Sequence, residues 1–378
     1  MMNPIYLFLL LFLSSLWLPG QHTINGTFIG VPAEKIMLVQ AAGSRHHMID
    51  STHLDENGSF KFILPPDLTP GSYQLFTASG ISLDLILNYE HIRLIALHDG
   101  YNQQVQIVES AENMIYYDFI NLKEQNLVKL DILSTVTDYY PKDDDFYQQA
   151  IDEVNELRDE IDETANELIN NNPMMLASHF IKVQNPVFAN ITLTKEAQKQ
   201  YLKRHYFDHV DFNDTVLLSS QQLNSKIINY LGLYQDEEVD KETFERNLLA
   251  GVDTVLQKAA VNQSMYTYVV DFFIGGFEAI GFEKGLTHIA RNNQLDELCV
   301  NTARQQALQH KIELINRLAI GKKAPDFETT DMEGNPVSLH DISSPKTLLF
   351  FWASWCPHCK NMISELNSIY NAPDNDVR

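Results

Sequence analysis

Alternating hydrophobic and polar positions mark the chain from His22 to about Val108. Phe60-Lys61-Phe62 shows the alternation clearly, and a period of two places successive side chains on opposite faces of a strand. Turn-forming segments recur about every ten residues, so the pattern predicts a small antiparallel sandwich or barrel. The predicted strands are Thr23–Ile29, Lys35–Val39, His47–Leu54, Ser59–Leu64, Ser72–Thr77, Leu83–Leu87, Ile92–Leu97 and Val105–Val108.

Between Ser110 and about Ile320 the hydrophobic period changes to three and four. From Ile151 to Leu168, apolar residues at this spacing alternate with acidic and polar ones, which predicts an amphipathic helix with a solvated acidic face. The glycines at 275, 276 and 281 predict bends. Further helices are predicted at Glu112–Leu133, Pro173–Val183, Lys195–His205, Ser220–Leu233, Lys241–Val261, Gln263–Phe273 and Asp296–Leu318.

From Gly321 the pattern changes again. The segment from Asp331 to Val337 predicts a hairpin turn with Gly334 at its tip. The continuous apolar run Leu348–Trp352 predicts a buried strand of a parallel sheet. An amphipathic stretch from Cys359 to Tyr370 follows, so the order is strand, tight turn and helix.

Two thiols open this last helix, in the pentapeptide Trp355-Cys356-Pro357-His358-Cys359. A helix N-terminus carries partial positive charge and unpaired N–H groups, which stabilise an anion. Cysteines in such settings drop from a pKa of about 8.5 to about 3.5–7.5. Because the second thiol lies one helical turn from the first, the two can form a disulfide. The pattern therefore favours reversible dithiol–disulfide chemistry.

A metal site and an inert pair of core cysteines are the alternatives. A zinc site usually takes four ligands from two such pairs, whereas the only further cysteine is Cys299, interpreted as a buried apolar residue. His46 and His47 are neighbours in a strand and face opposite sides, so they cannot easily share one ion. We predict no metal and no dissociable cofactor.

Charge and length limit the classes of function. The chain has 378 residues, 50 of them acidic and 27 basic, for a net charge of −23. This balance argues against nucleic acid, whose binding depends on Lys and Arg neutralising phosphates, and against anionic lipid surfaces. Length and pattern predict an α+β multidomain protein. Its predicted parts are a signal peptide (1–20), a β-rich N-terminal domain (21–108), a helical region (109–320) and a redox segment (321–378).

The first twenty residues predict export. The apolar run from Tyr6 to Leu18 is too short to span a membrane comfortably and is typical of a secretory signal peptide, although no Lys or Arg precedes it. An uncleaved N-terminal anchor is the alternative. Because disulfides persist outside the cytosol, a location in the periplasm or cell envelope would suit a protein that handles the disulfides of others.

Three motifs in the redox segment resemble the thioredoxin-like envelope thiol–disulfide oxidoreductases of the TlpA/ResA type, in the AhpC/TSA–thioredoxin group. The resemblance implies that this segment is the N-terminal part of a thioredoxin-like α/β domain. The region before residue 109 is similar to a β-rich N-terminal domain of unknown function. The three motifs are Gly321-x-x-Ala324-Pro325-Asp326-Phe327, Gly334-x-x-Val337-x-Leu339 and Phe350-Phe351-Trp352-Ala353-Ser354-Trp355-Cys356-x-x-Cys359-Lys360.

The resemblance also implies roles for five residues. Cys356 would attack a substrate disulfide, and Cys359 would resolve the mixed disulfide. Trp355 would cover the active-site surface, while Pro357 and His358 would tune the redox couple. The implied partners are protein thiols or disulfides and an unidentified electron donor or acceptor. The family context favours a reductase, although a Pro-His dipeptide also occurs in a strongly oxidising relative.

Some positions depart from the family pattern. Ser364 stands where many members have a proline, and Met362 where a glutamate is often found. Because only 22 residues follow Cys356, the thioredoxin-like domain is expected to be truncated. The exact chain is therefore expected to have weak or no activity, whereas the full-length parent protein is expected to be an active thiol–disulfide oxidoreductase.

Two other function classes stay open. A thiol peroxidase of the peroxiredoxin group would carry a threonine and a proline where this chain has Ala353 and Leu349. A non-catalytic envelope binding or scaffold protein would use residues 22–320 to recognise a partner.

Overall fold

The computed structural model describes residues 22–42, 45–98, 103–236, 238–292, 310, 313–314, 317–318, 321–331 and 333–370. The chain divides into two compact units, residues 1–300 and 301–378. The predicted helix at Asp296–Leu318 and Cys299 lie largely or wholly outside the described residues, as does the apolar run before residue 19.

Two four-stranded sheets form the β-rich part of the first unit. Their strand orders are β4-β1-β7-β8 and β3-β2-β5-β6. The predicted strands are therefore confirmed, with small shifts at their ends. The bounds are β1 Thr23–Ile29, β2 Lys35–Ala42, β3 Arg45–His53, β4 Ser59–Ile63, β5 Gly71–Thr77, β6 Ser82–Leu87, β7 Ile92–His98 and β8 Gln103–Glu109.

One strand pair departs from the predicted antiparallel arrangement. Strands β1 and β7 pair in parallel, from Ile24 opposite Ile92 to Ile29 opposite Leu97. More than sixty residues separate these strands in sequence, so no tight hairpin forces them to run in opposite directions. The prediction of a purely antiparallel sheet was wrong at this pair, while the mixed α+β class is confirmed.

Strand β5 is buried on both faces. Tyr73 and Leu75 are inaccessible on one face, and Ser72 and Gln74 are buried on the other. Alternate residues of a strand point to opposite sides, so both sides of this sheet are covered near β5. A 3-10 turn at Thr215–Ser219 contacts β5 and β2.

Helices follow the sheets, and most of the predicted helices are confirmed. In the first unit they are α1 Ala111–Tyr139, α2 Asp145–Asn171, α3 Leu176–Gln184, α4 Lys195–His205, α5 Gln221–Gly232, α6 Lys241–Ala259, α7 Gln263–Ile280 and α8 Glu283–Asn292.

The predicted bend at residues 275 and 276 was wrong. Helix α7 continues to Ile280, because Phe273, Ile274 and Phe277 are buried on its packed face. That packing outweighs a cost of about 1 kcal/mol for each helical glycine. Gly281 does end the helix, with a φ of 69° in the left-handed region. Helix α8, which follows at once, is absent from the predicted set.

Two carboxylates hold the ends of helices α1 and α3. Glu90, in the turn between β6 and β7, accepts hydrogen bonds from the backbone N–H groups of Ala111 (2.9 Å) and Glu112 (3.3 Å). Glu112 in turn accepts from the N–H groups of Leu176 (3.2 Å) and Ala177 (2.8 Å). A carboxylate at a helix start satisfies orphan donors and interacts favourably with the helix dipole. The chain of caps therefore ties the β6–β7 turn to both helices.

A buried polar cluster joins strand β6 to the helices. The carboxylate of Asp84 accepts hydrogen bonds from Gln74 (2.6 Å) and Gln222 (3.1 Å), and Gln222 also donates to Tyr116 (3.1 Å). Burial raises the pKa of the Asp84 carboxyl, and these hydrogen bonds oppose the rise. Because Gln222 comes from α5 and Tyr116 from α1, the cluster fixes the sheet against two helices.

Asn113 of helix α1 forms two hydrogen bonds with a single residue of strand β6. Its side-chain N–H donates to the carbonyl of Ile86 (2.7 Å), and its side-chain oxygen accepts from the Ile86 N–H (2.8 Å). Both backbone groups of Ile86 are thereby satisfied by one amide side chain.

The described residues of the second unit after residue 320 contain a short hairpin, a 3-10 turn at Leu339–Asp341 and one α-helix. Strands β9 (Glu328–Thr330) and β10 (Pro336–Ser338) pair in antiparallel fashion, with Gly334 at a φ of 87° between them. This confirms the predicted hairpin. Helix α9 (Pro357–Tyr370) carries the predicted amphipathic stretch.

The predicted strand at Leu348–Trp352 is not formed. No described residue pairs with this run in a sheet, and its side chains at Leu348, Leu349, Phe351 and Trp352 are exposed. A strand exists only through hydrogen bonds to a neighbour. The prediction of a buried strand of a parallel sheet was wrong, because the described residues supply no partner strand.

Candidate active site

The two cysteines of the pentapeptide lie together at the start of helix α9. Because the helix begins at Pro357, Cys356 occupies the N-cap position and Cys359 is the third helical residue. Their Cα atoms are 5.4 Å apart and their sulfur atoms are at disulfide-bonding distance. The structure therefore brings the predicted pair together.

The helix start supplies hydrogen bonds to the first cysteine. The backbone N–H of Cys359 donates to the sulfur of Cys356 (3.3 Å), and the Cys356 N–H donates to the carbonyl of Ala353 (3.0 Å). An N-cap side chain usually accepts from the N–H of the second or third helical residue. The sulfur of Cys356 takes this place, where a thiolate would gain both the hydrogen bond and the favourable dipole.

The surface beside the cysteines is aromatic and open to solvent. Trp355 is 83% exposed, Phe351 77% and Trp352 59%. The side chains of Pro357 and His358 lie outside the described part of the structure, although their backbone forms the first turn of α9. Their predicted tuning of the couple therefore stays a prediction.

An aspartate of the first sequence motif organises the segment before the redox helix. Ser338 donates its hydroxyl to the carboxylate of Asp326 (2.8 Å to each oxygen), and the backbone N–H of His340 donates to it as well (3.0 Å). The hydrogen bond from Ser338 is the main reason that the pKa of Asp326 lies below its usual range. Asp326 belongs to the first sequence motif, but its hydrogen bond with Ser338 was not predicted.

Among the described residues, no group of three or more His, Cys, Asp and Glu side chains is placed to hold a metal ion. The helices in the described part of the chain are each too short or too polar to cross a bilayer.

Two families match parts of the chain. Residues 320–376 match the AhpC/TSA family. Residues 147–273 match a domain of unknown function, DUF5106. The first match contains the cysteine pair and the three sequence motifs, and the second covers helix α2 to the middle of helix α7.

Curated relatives confirm the resemblance of the C-terminal segment. The thiol–disulfide oxidoreductase ResA of Bacillus thuringiensis (strain Al Hakam) is 37% identical over 54 residues, which are 14% of this chain and 31% of that protein. The thioredoxin-like protein YneN of Bacillus subtilis (strain 168) is 37% identical over 49 residues, 13% of this chain and 29% of that one. The chain thus spans less than a third of the curated relatives it matches.

A solved structure also has a distant likeness to this chain. It is a thioredoxin-like protein from Bacteroides caccae ATCC 43185, 17% identical in sequence, with a TM-score of 0.32. The match covers 51% of this chain and 70% of that one.

Proposed function

We propose that the protein is an envelope thiol–disulfide oxidoreductase that reduces protein disulfides through Cys356 and Cys359. The observation that carries this proposal is the position of the cysteine pair. Cys356 caps helix α9 and accepts the N–H of Cys359, while the two sulfur atoms lie at disulfide-bonding distance. Similarity of the surrounding segment to ResA and YneN supports the same chemistry.

The proposed reaction is a two-step exchange. The Cys356 thiolate attacks one sulfur of a substrate disulfide, which breaks the substrate S–S bond, forms a mixed disulfide and releases one substrate thiolate. The Cys359 thiolate then attacks the Cys356 sulfur and releases the second substrate thiolate. The substrate gains two electrons, and the Cys356–Cys359 pair becomes a disulfide that an external dithiol must reduce.

Exposure suits the roles given to the two cysteines. Both are partly accessible, and the neighbouring Trp355 projects into solvent. We assign Trp355 to covering the bound substrate segment, and Pro357 and His358 to setting the potential of the couple. We prefer a reductase because resemblance to the TlpA/ResA type favours that direction. The Pro-His pair, which also occurs in a strongly oxidising relative, favours a more oxidising couple.

The location and the first unit complete the proposal. We place the protein in the periplasm or cell envelope, exported by the N-terminal apolar segment or anchored by it. Its partners would be envelope proteins with accessible disulfides. The β-rich region at 21–108 and the helical region at 109–320 would select these clients or position the redox segment.

Trapping of the mixed disulfide tests the proposal. We expect the Cys359→Ser variant of the full chain, mixed with oxidised glutathione, to hold one glutathione at Cys356, because the resolving thiol is missing. Peptide mass spectrometry identifies the modified cysteine. The Cys299→Ser variant is the matched control and should form the Cys356–Cys359 link like the parent. Absence of an adduct at Cys356, or equal trapping at Cys359 in the Cys356→Ser variant, would contradict the assignment.

The reduction potential of the cysteine couple tests the direction. Equilibration in glutathione and dithiothreitol buffers should give a value nearer to about −270 mV, as for thioredoxin, than to about −120 mV, as for DsbA. A value at the oxidising end would keep the exchange chemistry and reverse the direction.

Retention of cellular function by Cys356→Ser would instead favour a scaffold built on residues 22–320.

A further inference from the structure

Two histidines of the first unit, distant in sequence, come together at one end of a sheet. His22 immediately precedes β1, and His91 immediately precedes β7. Strands β1 and β7 pair in parallel with Ile24 opposite Ile92, so His91 is level with Thr23 and His22 lies one residue before that level. The ring centroids of His22 and His91 are 5.6 Å apart, with an angle of 57° between the planes.

The turn that carries His91 is held rigidly. Asn88 donates to Glu112 (2.7 Å), and Glu90 accepts from the start of helix α1. Between them, Tyr89 adopts a φ of 55°, a left-handed conformation that is unfavourable for a residue with a Cβ. The fixed turn places His91 with little freedom, which is what a preorganised ligand needs.

Each imidazole keeps a nitrogen available. Nδ1 of His91 is hydrogen-bonded to the hydroxyl of Thr23 (3.1 Å), which orients the ring and leaves Nε2 for a further ligand. Nδ1 of His22 is a buried atom with no hydrogen-bond partner in the described structure. A buried nitrogen without a partner points to a bound water or ion.

We propose that His22 and His91 bind a divalent transition-metal ion that accepts tetrahedral coordination, such as Zn²⁺. A metal–nitrogen bond of about 2.1 Å, plus about 1.1 Å from nitrogen to ring centre, separates two coordinated rings by about 5.2 to 6.4 Å for tetrahedral to linear angles. The observed separation of 5.6 Å lies in this range, near its tetrahedral end. Imidazole suits zinc, nickel and copper, and Cu²⁺, which leads their affinity order, serves as the spectroscopic probe.

Water completes the coordination in this proposal. His91 and the nearby Tyr89 are exposed, so the open positions face solvent. The site is independent of the cysteine pair and goes beyond the proposed redox function. It is invisible in the sequence because its two ligands are separated by 69 positions, whereas the adjacent His46 and His47 attract attention first.

Copper titration of the full chain tests the site. We use a Cys299→Ser, Cys356→Ser, Cys359→Ser background, so that thiols do not compete, and record electron paramagnetic resonance spectra with Cu²⁺. We expect nitrogen coupling from two imidazoles, and a loss of about tenfold or more in affinity for His22→Ala and for His91→Ala. The control is His53→Ala, an exposed histidine on β3, which should bind as the background protein does.

A second substitution tests the orientation of His91. Thr23→Val removes the hydroxyl that holds the ring and should weaken Cu²⁺ binding while leaving the apo-protein's thermal unfolding midpoint nearly unchanged. If the His22→Ala, His91→Ala double variant binds Cu²⁺ as tightly as the background protein, the site is not where we place it.

Discussion

The first unit and the redox segment place large aromatic side chains in opposite environments. In the first, large aromatic residues such as Tyr116, Phe119 and Phe180 are almost completely buried. In the second, Phe351 and Trp355 lie largely in solvent. Composition alone does not decide burial, which depends on the neighbouring elements available to cover each apolar face. The thiol pair, however, is assembled by one helix start and needs no such neighbours.

Because of this difference, the thiol chemistry of the cysteine pair and the packing of the first unit can be altered separately. The cysteine site depends on local backbone geometry, whereas the first unit depends on packing between sheets and helices. Substitutions should therefore affect one region and leave the other intact. Two experiments test that separation, and two more test how buried and half-buried charges affect the stability of the first unit.

The largest effect is expected at the first cysteine. Cys356→Ser should abolish thiol–disulfide exchange, because no other described residue supplies a nucleophile beside Cys359. The free energy of unfolding of the first unit should change by less than about 0.5 kcal/mol. Exchange is followed by adduct formation with oxidised glutathione, and stability by urea denaturation. Residual exchange at the parent rate would remove Cys356 from its proposed role.

The second effect concerns the core of the first unit. Phe180→Ala should lower the free energy of unfolding by about 3–5 kcal/mol, because it leaves a cavity in helix α3's packed face. The reactivity of the cysteines should stay within twofold of the parent. The exposed Tyr139 provides the control, since Tyr139→Ala should cost less than about 0.5 kcal/mol. A large change in cysteine reactivity would show that the two regions are coupled.

A buried lysine gives the third effect, which depends on pH. Burial lowers the pKa of Lys226 to about 8, although its ammonium donates to the carbonyl of Asn185 (2.9 Å). Between pH 8 and about 10.4 the unfolded chain binds more protons at this residue, so stability should rise with pH. The gain from pH 7 to pH 9.5 should be about 2 kcal/mol.

Lys226→Met should remove that rise, and the exposed Lys129→Met should keep it. Urea denaturation at the two pH values measures both. An unchanged pH dependence in Lys226→Met would show that this lysine is not charged and buried as described.

The smallest effect is expected at His179 and Asp214, which form a half-buried ion pair. The hydrogen bond that His179 donates to Asp214 raises the pKa of His179. Burial raises the pKa of Asp214, but the pairing with His179 outweighs burial and the net pKa is lowered. The stabilisation is therefore complete between about pH 4 and pH 6.5, and is lost on either side. It should be below about 1 kcal/mol because water screens the pair.

His179→Gln should cost more at pH 5.5 than at pH 8, as measured by thermal unfolding. The exposed His53→Gln should show no such difference. Equal losses at both pH values would mean that the pair contributes through packing rather than charge.

Local patterns allowed much of the fold to be predicted. Strand β1 and helix α4 begin and end at the predicted residues. Alternate residues of β1 are buried, and Thr194 caps the start of α4. The pairing of strands was harder to predict from the sequence, because the parallel contact of β1 with β7 depends on long-range topology. The strand predicted at Leu348–Trp352 shows the same limit, because its formation requires a partner that its own sequence cannot encode.

The candidate site divides in the same way. The cysteine pair was predictable because its two members are three positions apart and open a helix. The support from Ser338 to Asp326, twelve positions away, was not, nor was the meeting of His22 with His91. Contacts across a sheet or between loops carry no local period, so only the folded chain reveals them.

The side-chain amide of Asn113 affects how readily the protein associates with other chains. Strand β6 is the last in its sheet, and an unpaired margin of that kind invites a strand from another chain, which leads to aggregation or swapping. By occupying both backbone groups of Ile86, near the C-terminal end of β6, the side chain prevents such pairing there. Variants that lack the Asn113 side chain should therefore aggregate more readily at high protein concentration.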